Sequence, residues 1–139
     1  SGHGLADLVA EILRSEGYTT KVSPPGADGG VDILAAGGSL GLGAERVCVQ
    51  VKSGDGAANH DVVLRLIGSV SNSQASTGLL VSIAGVNGPA QRELDNNFFK
   101  LRLWQMADLL RAAYPNLSDE TRARLPLKQI WVPMVAVEE

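Results

Sequence analysis

The chain lacks most of what several common chemistries need. It has one cysteine, Cys48, which excludes a disulfide framework and a cysteine-ligated zinc site. It has two histidines, His3 and His60, too few for a multi-histidine metal centre. No apolar run approaches the roughly 20 residues of a membrane span. The opening Ser1-Gly2-His3-Gly4 lacks the basic-then-apolar pattern of a signal peptide, and residues 1–4 read as a cloning scar or the ragged end of an excised domain. Cations are not in excess either. Twelve Lys plus Arg stand against fifteen Asp plus Glu, a net charge of −3. A binder with a broad basic face does not fit that balance, whereas a nuclease site needs carboxylates and only a few local cations. What is present is an ordinary globular composition, 45% hydrophobic and 19% charged over 139 residues. It predicts one domain spanning 1–139, and the lone thiol points to a reducing cytoplasm.

Apolar periodicity outlines the elements. Leu5, Leu8, Val9, Ile12 and Leu13 recur on one helical face, and Gly17 follows as a C-terminal cap. Residues 18–22 read as a strand. Two prolines and three glycines make 23–30 a loop. Strands are predicted at 31–36 and 46–52, joined by a glycine-rich connection as an antiparallel hairpin. A helix follows over 61–70, with Val63, Leu66, Ile67 and Val70 on one face. A buried strand covers 78–83, Pro89 sits in the first turn of a helix ending near 96, and 101–104 is a strand before a helix at 107–113. Within the same domain, about 114–139 supplies a last short helix opened by Ser118 and ended by Pro126, then an edge strand at 129–132. The order predicts an α/β fold: a mixed central sheet that begins as an antiparallel meander, with helices on its faces.

The third strand carries the unusual residues. Val47, Val49 and Val51 point one way, and Cys48, Gln50 and Lys52 the other. On the second strand, Asp32 stands between Val31 and Ile33. Those two share the apolar face, so Asp32 points to the opposite one, where it needs a partner. Pairing of the two strands would bring Asp32, Gln50 and Lys52 together at one end of the sheet. A carboxylate and an amide oxygen are hard ligands suited to Mg²⁺ or Mn²⁺, and an ammonium beside them can stabilise charge developing on a phosphate. That combination suits metal-assisted phosphodiester hydrolysis. The bland alternative is an Asp32–Lys52 salt bridge, or a Lys52 that merely meets solvent at a strand end.

Asp28-Gly29-Gly30-Val31-Asp32-Ile33 followed by Val49-Gln50-Val51-Lys52 resembles the catalytic signature of Mrr-type restriction endonucleases, the Gln-x-Lys branch of the PD-(D/E)xK nuclease superfamily. Gly17-Tyr18, 66–68, 78–82 and 103–110 resemble further landmarks of that family, so the likeness covers nearly the whole chain. The resemblance implies a restriction-endonuclease-like sandwich with helices on both faces of the sheet. It also implies a Mg²⁺- or Mn²⁺-dependent DNA endonuclease acting on foreign or modified DNA in defence. It assigns Asp32 as metal-binding aspartate, Gln50 as second ligand, the Val51 carbonyl as an assisting ligand and Lys52 as catalytic lysine. Asp28 is the competing aspartate, and Asp28, Gly29, Gly30, Ser53, His60 and Arg65 are candidates for DNA or phosphate contact. It further implies a homodimer, and a recognition domain or subunit outside this chain.

One departure stands out. The family's first helix commonly supplies a Glu to the site, and Ala6 occupies that position here. With Gln50 neutral as well, an alternative is a nuclease-fold module that no longer cleaves and acts in nucleic-acid binding or assembly of a defence complex. Other signals are weaker. Gly37-Gly38-Ser39-Leu40-Gly41 matches G-x-S-x-G, but a strand rather than the required helix follows. Asn59 or His60 reads first as a helix cap and Arg65 as a solvated side chain. Asn116-Leu117-Ser118 is a sequon in a chain with no other sign of secretion. Trp104 and Trp131 read as core residues.

Overall fold

The alternation of the strand at 46–52 organises the molecule, because each of its faces meets a different apolar layer. The computed structural model describes residues 2–24, 30–38, 40–113 and 115. In chain order the elements are α1 (Gly2–Ser15), β1 (Tyr18–Val22), β2 (Ile33–Gly37), β3 (Arg46–Lys52), α2 (His60–Ser73), β4 (Thr77–Ser82), α3 (Gly88–Asn96), β5 (Leu101–Trp104) and α4 (Met106–Ala113). The five strands form one sheet in the order β1-β2-β3-β4-β5. β1, β2 and β3 pair antiparallel, and β3, β4 and β5 pair parallel. The mixed sheet with an antiparallel opening is therefore as predicted, and so is the element order as far as α4.

Val49, buried with Ile33, Ala35, Leu79 and Val81, faces a layer made by Val9, Ala10, Ile12 and Leu13 of α1 and Leu109 and Ala113 of α4. Cys48, buried with Leu80 and Leu101, faces the opposite layer, made by Val62, Val63, Leu66 and Val70 of α2 and Ala90 and Leu94 of α3. Helices on both faces follow from this two-sided alternation. Burial pushes the Cys48 thiol above its ordinary pKa, so it stays protonated and serves as a small apolar core group.

The helices following the parallel strands start where the sequence places caps. Asn59 accepts from the N–H of Val62 at 3.1 Å, and Asn87 accepts from that of Ala90 at 3.0 Å. A parallel bridge between Ala58 and Val86, one residue before each cap, holds the two helix starts side by side. Gly17, at φ 97°, closes α1 with its N–H on the Arg14 carbonyl. Among the described residues, no helix is long and apolar enough to cross a membrane.

The second strand departs from expectation. It begins at Ile33, not at 31, and Val31 and Ile33 do not share a face. Ile33 lies in the α1 layer, whereas Val31 packs against the α2 layer. Regular alternation has not begun at Val31, which follows Gly30 in the left-handed region at φ 71°. Ser39, Trp131, the sequon at 116–118 and the expected helix and strand beyond 116 lie outside the described residues. The G-x-S-x-G stretch leads from β2 into the antiparallel β3, not into a helix.

Packing between β4 and α2 leaves no room at Gly78. A Cβ there would stand 2.7 Å from Val70 and 3.0 Å from both Leu66 and Leu101. Gly78→Ala is expected to destabilise the fold by about 1–3 kcal/mol through overpacking, read as a lower urea midpoint.

Candidate active site

The site forms where β2 and β3 part. The last β2–β3 rungs run through Ile33, paired with Val49, and Asp32, whose N–H donates to the Val49 carbonyl at 2.8 Å. The Asp32 carbonyl accepts from Ser23 at 2.8 Å. Beyond this point β2 no longer offers a backbone acceptor, and the N–H of Val51 still needs one. The Asp32 side chain supplies it: Oδ2 accepts from Val51 N–H at 2.7 Å. Among the described residues, Oδ1 has no hydrogen-bond partner. The carboxylate is thus fixed at the strand gap with one oxygen committed to the fold.

Gln50 lies one register step beyond the Ile33–Val49 pair. It is 8% exposed, its Oε1 is buried without a partner among the described residues, and Gly30 packs against its amide. An unpaired buried carbonyl oxygen costs about 1–3 kcal/mol, so a fold that keeps one invites a ligand as explanation. Lys52 is half-buried at the end of the same strand, next to Ser82 in the ladder with β4. Its Nζ reaches the Ser53 carbonyl at 3.4 Å, and no ion pair joins it to Asp32. The salt-bridge alternative is therefore not what the structure contains.

These groups suit a hard divalent cation: one carboxylate, one orphaned amide oxygen and the Val51 carbonyl on the edge that faces Asp32. Among the described residues, no group of three or more His, Cys, Asp or Glu side chains could hold a metal. The donor set is sparse in charge. Ala6 is buried in the α1 layer, on the opposite face of the sheet from Cys48. Asp7 and Glu11 of α1 are exposed.

The other candidates divide. Gly30 meets Gln50, Ser53 is exposed directly after Lys52, and Arg65 is exposed on α2. Asp28 and Gly29 lie outside the described residues. His60 is engaged elsewhere, with Nε2 2.8 Å from Glu93 Oε1 on α3. Asn97 donates to the other Glu93 oxygen at 2.9 Å. The His60 hydrogen bond, aided by Asn97, holds the Glu93 carboxyl below its ordinary range.

Sequence reasoning missed Ser82. It is fully buried, and its hydroxyl donates to the Gly85 carbonyl at 2.6 Å. The same carbonyl accepts from Ala58 N–H at 2.9 Å, so one turn after β4 anchors the loop that follows Lys52. A polar residue closing the apolar run 79–81 was the only available signal.

Known proteins resemble this fold. The Mrr catalytic-domain family, described as restriction endonuclease, matches residues 1–113. The restriction endonuclease AspBHI, described as DNA modification-dependent, superposes with a TM-score of 0.63 at 17% identity, over 98% of this chain and 36% of its own. MspJI, a restriction endonuclease in complex with a 27-mer oligonucleotide, gives 0.58 at 21% identity, over 80% of this chain and 27% of its own. A protein of unknown function, AF1548, gives 0.62 at 15% identity, over 90% of this chain and 72% of its own. At these identities the likeness concerns the fold, and the chain spans little more than a third of AspBHI and about a quarter of MspJI. No curated protein sequence matches the chain.

Two outcomes follow from the bonds beneath the site. Ser82→Ala is expected to cost about 0.5–1.5 kcal/mol, because the buried Gly85 carbonyl keeps Ala58 but loses its second donor, and urea unfolding reads it. For Glu93, a depressed pKa means the bound carboxylate stabilises the fold above the ordinary value of 4.5, and that stabilisation is lost as pH falls through the lower folded value. The Tm difference between wild type and Glu93→Gln should be present near neutrality and shrink toward zero well below pH 4.5.

Proposed function

The chain belongs to the Mrr catalytic-domain family of restriction endonucleases, and from that membership we propose that it is a metal-dependent DNA endonuclease. The observation that carries the reading is the Gln50 Oε1, buried and unpartnered among the described residues at the strand gap where Asp32 is fixed to Val51. Asp32 Oδ1, Gln50 Oε1 and the Val51 carbonyl would hold Mg²⁺ or Mn²⁺. A divalent ion bound there supplies Lewis acidity toward the scissile phosphate. Asp32 contributes the one full negative charge of the set, and its bond to Val51 keeps it from swinging away. Lys52, unpaired with any carboxylate among the described residues, presents its ammonium to the phosphate oxygens, where charge grows as water attacks phosphorus and the bond to the sugar oxygen breaks. Ser53 and Arg65, both exposed, would contact the flanking backbone. The oligonucleotide bound by MspJI and the modification dependence of AspBHI support DNA, including modified DNA, as the substrate. Target choice would rest with a recognition domain or partner, and cutting both strands with a second copy.

A second reading has its own support. A neutral Gln50 beside the single carboxylate of Asp32 gives a site of low charge, which suits a module that binds DNA without cleaving it.

Cleavage of modified and unmodified plasmid DNA with Mg²⁺ or Mn²⁺ separates the two. The nuclease reading expects metal-dependent nicking, reduced at least about 100-fold by Asp32→Ala and by Lys52→Ala. Folded wild-type protein that binds the plasmid and leaves it intact on every substrate supports the second reading. Nicking that survives both substitutions places the chemistry elsewhere.

A further inference from the structure

We infer that Gly30 is a positioning residue of this site: its bare backbone seats the Gln50 amide and keeps Oε1 available to a divalent cation. The inference rests on the proposed role of Gln50 as a metal donor and deepens it. Gly30 is in the left-handed region at φ 71°. A Cβ there would stand 3.3 Å from Gln50 Nε2, 3.5 Å from Cδ and 3.7 Å from Oε1. The three nearest neighbours all belong to one amide group, so the amide is what a side chain at position 30 would meet first.

Among the described residues the Gln50 side chain makes no hydrogen bond, and it is 8% exposed. Its orientation is therefore set by packing, and Gly30 is one wall of that packing. A methyl group at position 30 would press on Nε2 at a distance tighter than ordinary van der Waals contact. Either the amide rotates or the backbone shifts, and in both cases Oε1 moves relative to the fixed Asp32 carboxylate. Gly30 thus does not serve as a DNA contact in this account. It acts through Gln50, as outer groups that orient metal ligands do.

A purely conformational need for glycine is the competing explanation, and a double-mutant cycle separates the two. Mn²⁺ binding to the full chain is followed by the electron paramagnetic resonance signal of free Mn²⁺, for wild type, Gly30→Ala, Gln50→Ala and the double variant. Thermal melts confirm that each is folded. Gly30→Ala and Gln50→Ala should each weaken Mn²⁺ binding roughly tenfold, and the double variant should bind no more weakly than Gln50→Ala. Gly30→Asn tolerates the left-handed backbone but carries a Cβ, so it should lose affinity as Gly30→Ala does. The inference is overturned if Gly30→Ala weakens binding equally with and without Gln50, or if Gly30→Asn binds as wild type. Equal Mn²⁺ affinity of wild type and Gln50→Ala would instead remove Gln50 from the metal site, and this role of Gly30 with it.

Discussion

Everything at the site depends on one unsatisfied backbone group. β3 continues past the point where β2 turns away, and the Val51 N–H is left without a ladder acceptor. The Asp32 carboxylate fills that vacancy at 2.7 Å. This single bond joins the loop before β2 to the end of β3, and it fixes a negative charge at the gap. A strand pair that stayed in register to its end would have no need of an acid there. The charge is thus a consequence of where the sheet opens, and the chemistry inherits its position from the backbone.

The surrounding structure preserves that opening. The α1 and α4 layer clamps Ile33, Val49 and Val81 from one side, and the α2 and α3 layer clamps Cys48 and Leu80 from the other. Beyond the end of β3, the Ser82–Gly85–Ala58 bonds tie the loop after Lys52 to the turn after β4. The His60–Glu93 pair then links α2 to α3. Lys52 is consequently carried on a strand whose far end is anchored, while no carboxylate among the described residues neutralises its ammonium.

The fold was legible because its signals are periodic. Valines at 47, 49 and 51 announced a two-faced strand, and the stripe in α1 and the apolar run 79–81 announced the layers on either side. Asp32, Gln50 and Lys52 were visible as polar residues in apolar strands. What stayed hidden was local geometry. Assigning Val31 and Ile33 to one face assumed that alternation starts before it does, and a left-handed Gly30 breaks that assumption. The contact of Gly30 with Gln50 spans twenty positions of sequence, and no pattern of residues encodes it. Ser82 carried only a faint mark, because a serine closing a buried strand has no fixed role until its acceptor is known.

The central claim is that the gap between Asp32 and Gln50 is a cation site. Anomalous diffraction from crystals grown with Mn²⁺ tests it most directly. The account expects a peak in contact with Asp32 Oδ1 and Gln50 Oε1. A peak only at other residues, or a well-ordered protein in Mn²⁺ whose gap holds none, would contradict it.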